Sequence, residues 1–386
     1  MKNIFSTEWK HANIFLYASI IISFSVVFYY HLSLGFSMSS DSIRFSRWAD
    51  ELIKLDFNLI EFFSIDKVSH RPSLFFFSVP VVLIALCKLI FVNEWQFAFL
   101  LLNQTLILFS LIIFAKNLLL IGVRPILISI TLPIILMSVD LLIWPRFILS
   151  DMIYSFLVLL SMYFIVKLIL KNRISYFEII LITFFLLASR PSSVPVIFAI
   201  FFFIIILKFQ IFSRQLHKLI FVLILFISIP FILSLTYLFI ESNFNNIAKV
   251  DFITSMVKDG MIIHDRPYTW VNVPNNFIDI VYIYFLRLVN FFNPYAATFS
   301  VLHLFLNVFQ ILIILSSLLI WLLIGDYTKS QNKLFFFVIL LSFSVAAFHS
   351  FILIDYDWRY RFPIILPLLM LFPISLETIL KKIKLK

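Results

Sequence analysis

Read as apolar and polar positions, the chain is a series of long apolar runs separated by short polar breaks. Runs long enough to cross a bilayer fall at 12–35, 96–120, 124–145, 151–171, 174–190, 191–212, 217–240, 297–324, 333–354 and 362–380. A hydrocarbon core of about 30 Å takes about 20 helical residues. The runs lack the period-two alternation of barrel strands, so each is read as a helix. A further run, 73–92, is ambiguous, because it holds Pro80 and Lys88 and only VNEW joins it to the next. The stretch FIDIVYIYFLRLVNFFNP (277–294) is interrupted by Asp279 and Arg287 and reads as an interfacial helix.

Composition turns this pattern into a class. Of 386 residues, 62% are hydrophobic and only 13% charged, with a mean hydropathy of +1.07. A soluble domain cannot hide that much apolar surface. The expectation is an all-α polytopic membrane protein with about ten transmembrane helices in a single domain, 1–386. The first run is too long for the core of a cleaved signal peptide. The 50 Phe residues, alongside abundant Ile, Lys and Asn, read as coding bias. The lone Cys87 excludes an internal disulfide and a cysteine metal cluster. The net charge of +10 sits in loops beside spans, where it orients the chain and does not indicate nucleic acid.

That orientation can be worked out. The short basic loops KNR (171–173), KFQIFSRQLHK (208–218) and DYTKSQNK (326–333), the tail KKIKLK, Lys116, Arg124 and the N-terminus are expected in the cytoplasm. They share one side only if 73–92 does not cross. It is therefore expected as a re-entrant or juxtamembrane helix on the outer side; the competing reading is that a short run such as 174–190 fails to cross. The tryptophans fall at or beyond span ends, as an aromatic belt requires.

The outer face then collects the first loop (36–72), WPRFILSD (144–151), SRPSS (189–193), the long loop 241–296 and DYDWRYRFP (355–363). These carry Asp41, Asp50, Asp151, Asp265 and Asp355, with His70, Arg71, Arg146, Arg190, Arg266, Arg287, Arg359 and Arg361. Arginine outside runs against the orienting rule, and arginine is suited to bidentate phosphate contacts. Plainer roles stand beside this one. Any single arginine can serve a lipid headgroup or a local ion pair. Asp41 and Asp151 can cap the helices that begin there. Asp140 is read as a partner for Arg146, and Asp50 as lying on a solvated helix face. His264 and Asp265 lack a second histidine at ligand spacing.

These segments resemble, in order, the GT-C glycosyltransferases, in particular the group of protein O-mannosyltransferases and aminoarabinose transferases. DSIRFSRWADELIKLDFN (41–58) is similar to that group's first outer loop, with Asp41 as the leading acid, Arg44 as the arginine and Phe45 in place of a tyrosine. Ser42 stands where a second acid is usual. Arg71, Pro72 and Leu74 resemble the opening of the next segment. RFILSDM (146–152) resembles a turn that brings in a second acid, ASRPSSVPVIF a basic Pro turn, and RYRFPIILPLLMLF the start of a late span. The region 200–296 matches only in hydropathy.

The resemblance implies a GT-C-like fold and an inverting transfer from a polyprenyl-phosphate sugar to a glycan, lipid or protein acceptor. The site would face the periplasm from a bacterial inner membrane. Asp41 would be the base and Asp151 the second acid. Arg44, His70, Arg71, Arg146, Arg190, Arg359 and Arg361 would hold the donor phosphate, with the prenyl tail in a groove between spans. The resemblance fixes no cofactor, and a divalent metal stays open because Ser42 breaks the acid pair. Rival readings are an O-antigen-type polymerase, a lipid or glycan flippase, and a scaffold.

Overall fold

A computed structural model describes residues 7–64, 74–170, 176–209, 277–295, 300–324, 328–351 and 358–384. The chain opens with α1 (Thr7–Leu34), the amphipathic α2 (Ser40–Lys54) and α3 (Leu59–Ser64). Next come α4 (Ser78–Phe91), α5 (Trp95–Leu120), α6 (Pro125–Leu136) and α7 (Val139–Ile143). They are followed by α8 (Asp151–Ile169), α9 (Tyr176–Ser189) and α10 (Val194–Phe209). The second half holds α11 (Phe277–Phe291), α12 (Val301–Ile324), α13 (Lys329–Phe351), α14 (Phe362–Leu369) and α15 (Leu371–Lys384).

Among the described residues there is no strand, only an isolated bridge between Ser37 and Phe147. Among the described residues, seven helical segments are long and apolar enough to cross a membrane, or eight if the bent pair α6–α7 counts as one span. The chain is an all-α, multi-pass membrane protein. Its helices are polar inward and apolar outward, as lipid demands. α12 buries Asn307, Gln310 and Ser317 and exposes Leu312, Leu315, Leu319 and Leu322. The apolar window of α13 is 72% buried and that of α14–α15 is 78%, against 28% for α1 and for α12, so the former are central and the latter peripheral. Every residue from Leu334 to Leu341 is buried, with Phe337 against Phe203 and Phe335 stacked on Trp321.

The tally differs from ten for identifiable reasons. The run at 217–240 lies outside the described residues. The run at 174–190 forms α9, whose 14 residues reach only about 21 Å. The apolar stretch 74–120 is 47 residues long, about twice what one crossing needs. It is broken where Val92 takes a φ of 31°, a turn conformation costly for a β-branched residue. α4 runs beside α2. Lys88 bonds Asp50 Oδ1 (2.6 Å) and Ser46 O (3.0 Å), and at the other end Ser78 Oγ reaches Ala188 O (3.5 Å). Asp50 is thus an ion-pair partner of Lys88, not simply a residue on a solvated face.

The 124–145 run is not one straight helix. α6 and α7 meet at 63°. Pro133 has no N–H to give to Ser129 O, and Ser19 Oγ of α1 supplies the missing donor at 2.8 Å. At the far end, Glu377 of α15 accepts from both Arg124 Nε (2.9 Å) and the Arg124 backbone N–H (3.2 Å), which joins α15 to the start of α6.

Candidate functional site

Three local features place the candidate residues. The first is the start of α2. Ser39 and Ser42 form a reciprocal capping box there, so the cap is Ser39 and not Asp41. Asp41 sits within the first turn with its carboxylate turned to two arginines. Arg44 Nη2 donates to Oδ1 at 2.7 Å and Arg359 Nη2 to Oδ2 at 3.2 Å. The Asp41 side chain keeps 28% exposure. Arg44 in turn lies over the Trp48 ring at 5.3 Å. Further along α2, the Glu51 carboxylate bonded to Lys54 raises the pKa of that exposed ammonium.

The second feature is Arg190, which precedes Pro191 and takes the extended backbone that a following proline favours. This ends α9 and turns the guanidinium inward, where Nη1 bonds Asp151 Oδ1. Asp151 stands at the first position of α8, where the helix dipole favours an anion. Both partners are buried, at 7% and 2% exposure. Tyr154 of α8 donates to Ser192 O at 2.8 Å and fixes the turn that carries Arg190.

The third is the 3₁₀ turn Trp358–Arg361, which carries three consecutive side chains to three sets of partners. Arg359 reaches Asp41. Tyr360 lies between the two ion pairs, with Arg190 5.1 Å and Arg359 5.5 Å from its ring centre. Its ring stacks on His349 of α13 at 4.3 Å. Arg361 donates to Asn293 O at 2.9 Å and lies 3.9 Å from Asp140 Oδ2.

The structure therefore brings together Asp41, Arg44, Arg359, Arg190 and Asp151, linked through Tyr360, with Arg361 on the same turn. It does not bring in Arg146. That guanidinium donates to Gly35 O (3.0 Å) and Leu34 O (3.0 Å), closing the end of α1 where Gly35 has a φ of 68°. Asp140 is consequently not paired with Arg146; it accepts from Trp144 Nε1 at 3.2 Å and faces Arg361. His70, Arg71, Asp265, Arg266 and Asp355 lie outside the described residues.

Three functional candidates were not legible as such. His349 and Tyr154 are single polar rings in apolar runs, and Tyr360 sits between Arg359 and Arg361 in a polar break; only their contacts distinguish them from belt or packing residues. His31 of α1 is a fourth polar ring, with a structural task. It is fully buried and donates from Nε2 to Leu142 O (3.1 Å), which leaves Nδ1 to accept from Gln104 Nε2 (2.9 Å).

Among the described residues, no three His, Cys, Asp or Glu side chains gather at metal-ligand spacing. Both oxygens of Asp41 are already bonded to guanidinium groups, so a divalent cation there would compete with two fixed charges. The described acids do not fit a metal site. The fold and site thus define a multi-pass helical membrane protein with an acid–arginine cluster at one end of its bundle. No family model, curated protein or solved structure matches the chain.

Proposed function

We propose that this protein is an integral-membrane glycosyltransferase of GT-C-like architecture, moving a sugar from a polyprenyl phosphate to an acceptor hydroxyl with inversion. The observation that supports it most is the contrast between its two acids. Asp41 is reachable and flanked by Arg44 and Arg359, whereas Asp151 is buried and committed to Arg190.

The chemistry follows from that contrast. The acceptor oxygen attacks the anomeric carbon as its proton passes to Asp41. The bond from that carbon to the phosphate oxygen breaks, and the lipid phosphate leaves with the electron pair. The charge growing on it is met by guanidinium groups already held in place. Arg359 and Arg44 lie beside the base, and Arg190 is oriented by Asp151 and Tyr360. Asp151 is then a positioning residue, not a second base. The cluster faces the periplasm of a bacterial inner membrane, and 73–92 is a re-entrant or juxtamembrane helix on that side. The placement of both ends of α4 near α2 and the end of α9 supports this topology.

The test uses purified protein in proteoliposomes with labelled polyprenyl-phosphate sugars and an envelope lipid and glycan extract. Release of polyprenyl phosphate together with labelled acceptor is expected. Movement of intact donor across the bilayer with no bond broken would replace this reading with a flippase.

A further inference from the structure

α5 packs on α8, and near the ends of both, opposite the acid–arginine cluster, two lysines meet at one ring. Lys116 of α5 and Lys167 of α8 each hold Nζ 4.8 Å from the ring centre of Tyr163. Lys167 Nζ is also 5.8 Å from the ring centre of Phe164. The two ammonium groups are therefore no more than two of the shorter lengths apart. Lys116 is exposed, while Lys167 and Tyr163 are half-buried.

These charges lack an acid. Lys54, Lys88 and Lys381 lie 2.7, 2.6 and 3.6 Å from Glu51, Asp50 and Glu377, whereas neither Lys116 nor Lys167 has an acid at ion-pair distance among the described residues. The sequence withholds one, since no Asp or Glu stands between Glu94 and Asp140 or between Asp151 and Glu178. At the same end, Glu377 is taken up by Arg124 and Lys381. Glu178, in the first turn of α9, pairs with neither lysine. Two like charges drawn onto one ring repel each other, and the pull of a tyrosine face on a cation near water is small. The balancing anion has to come from outside the chain.

The setting says which anion. Phe109 and Ile112, seven and four residues before Lys116, lie on its face of α5 and are exposed. Apolar surface thus runs from the ammonium groups toward the middle of the span. A ligand that uses the whole surface is anionic at the end of the bundle and hydrocarbon alongside it. A free phosphate would use only the first part. We infer that Lys116, Lys167 and Tyr163 form a site for the headgroup of an anionic glycerophospholipid, with an acyl chain along Phe109 and Ile112. Each ammonium offers compact charge and three donors to phosphate oxygens, while its stem lies along the apolar surface. A zwitterionic lipid brings a cation of its own toward the lysines and is disfavoured. The site lies away from Asp41 and does not rest on the transfer reading.

The test uses the full chain in detergent, stripped of lipid. It is titrated with phosphatidylglycerol or with phosphatidylcholine of the same acyl chains, and native mass spectrometry counts the lipids retained. One phosphatidylglycerol is expected to be held about thirtyfold more tightly than phosphatidylcholine, the worth of two lysines beside an anionic headgroup. Lys116→Gln with Lys167→Gln should remove that tight lipid, and Lys116→Arg with Lys167→Arg should keep it. Lys54→Gln, which removes an ammonium that already has its acid, should leave the count unchanged. Equal retention of the two lipids by the wild type would overturn the inference, as would a tight lipid that survives the double glutamine variant. Inorganic phosphate at millimolar concentration should not displace the lipid; displacement would make this a site for a free anion and overturn the assignment to lipid. If the double glutamine variant does not fold, each single glutamine variant should still weaken the tight lipid about fivefold, and unchanged affinity in both would remove the lysines from the site.

Discussion

At the scale of single residues, two aspartates with similar sequence settings have opposite surroundings. Each begins a helix and each meets an arginine, but Asp41 is 28% exposed and Asp151 only 2%. Asp41→Asn should reduce transfer by about 10²-fold or more, since an amide keeps the shape but takes no proton. Its melting temperature should stay near wild type, because Ser39 provides the cap. Asp151→Asn should do the reverse first, leaving Arg190 buried without its counter-charge at a cost of about 3–5 kcal/mol. Differential scanning fluorimetry of the two variants beside the transfer assay checks the pair; a normal rate for Asp41→Asn removes it as the base. The sequence could single out both acids but not tell them apart, because burial depends on partners far along the chain. Arg359 lies 318 positions from Asp41. Arg146 is misread from sequence for a related reason: an arginine at a turn looks alike whether it meets a phosphate or the last carbonyls of a helix.

At the scale of elements, hydropathy locates the helices and misses their breaks. The run 124–145 is apolar on both sides of its 63° bend, so no change of composition marks the corner. What does mark it is Pro133, and the consequence of Pro133 is visible only where Ser19 crosses. Ser19→Ala should leave Ser129 O unbonded within the membrane and destabilise the α1–α6 contact by about 1–3 kcal/mol. Pro133→Ala added to it restores a backbone N–H at the right position and should recover much of the loss. Thermal unfolding of the single and double variants in detergent measures this coupling, and additive losses would mean that Ser19 does not serve that carbonyl. The amphipathic α2 was readable from its charge pattern alone, whereas its neighbour α4 is apolar nearly throughout, and its pairing through Lys88 to Asp50 could not be read from the sequence.

At the scale of the whole molecule, the two ends of the bundle carry different chemistry. One end has Asp41, Arg190 and Arg359. The other has Arg124 bonded to Glu377, with Lys381 3.6 Å from the same carboxylate, and Lys116 and Lys167 each 4.8 Å from the ring of Tyr163. Short basic segments stay on the cytoplasmic side, so the acid–arginine end should face outward. The order of crossings then hinges on α4. If 74–120 crosses once, Lys116 lies inside with Arg124 and Lys381; if α4 and α5 each cross, Lys116 falls outside and the later basic segments with it. Single cysteines at 54, 116 and 381 in a Cys87→Ala background, probed on intact cells with a membrane-impermeant maleimide, decide the matter. Position 54 should label at once, and 116 and 381 only after permeabilisation. Labelling of 116 from outside would make α4 a true span and overturn the placing of Lys116 on the side opposite Asp41.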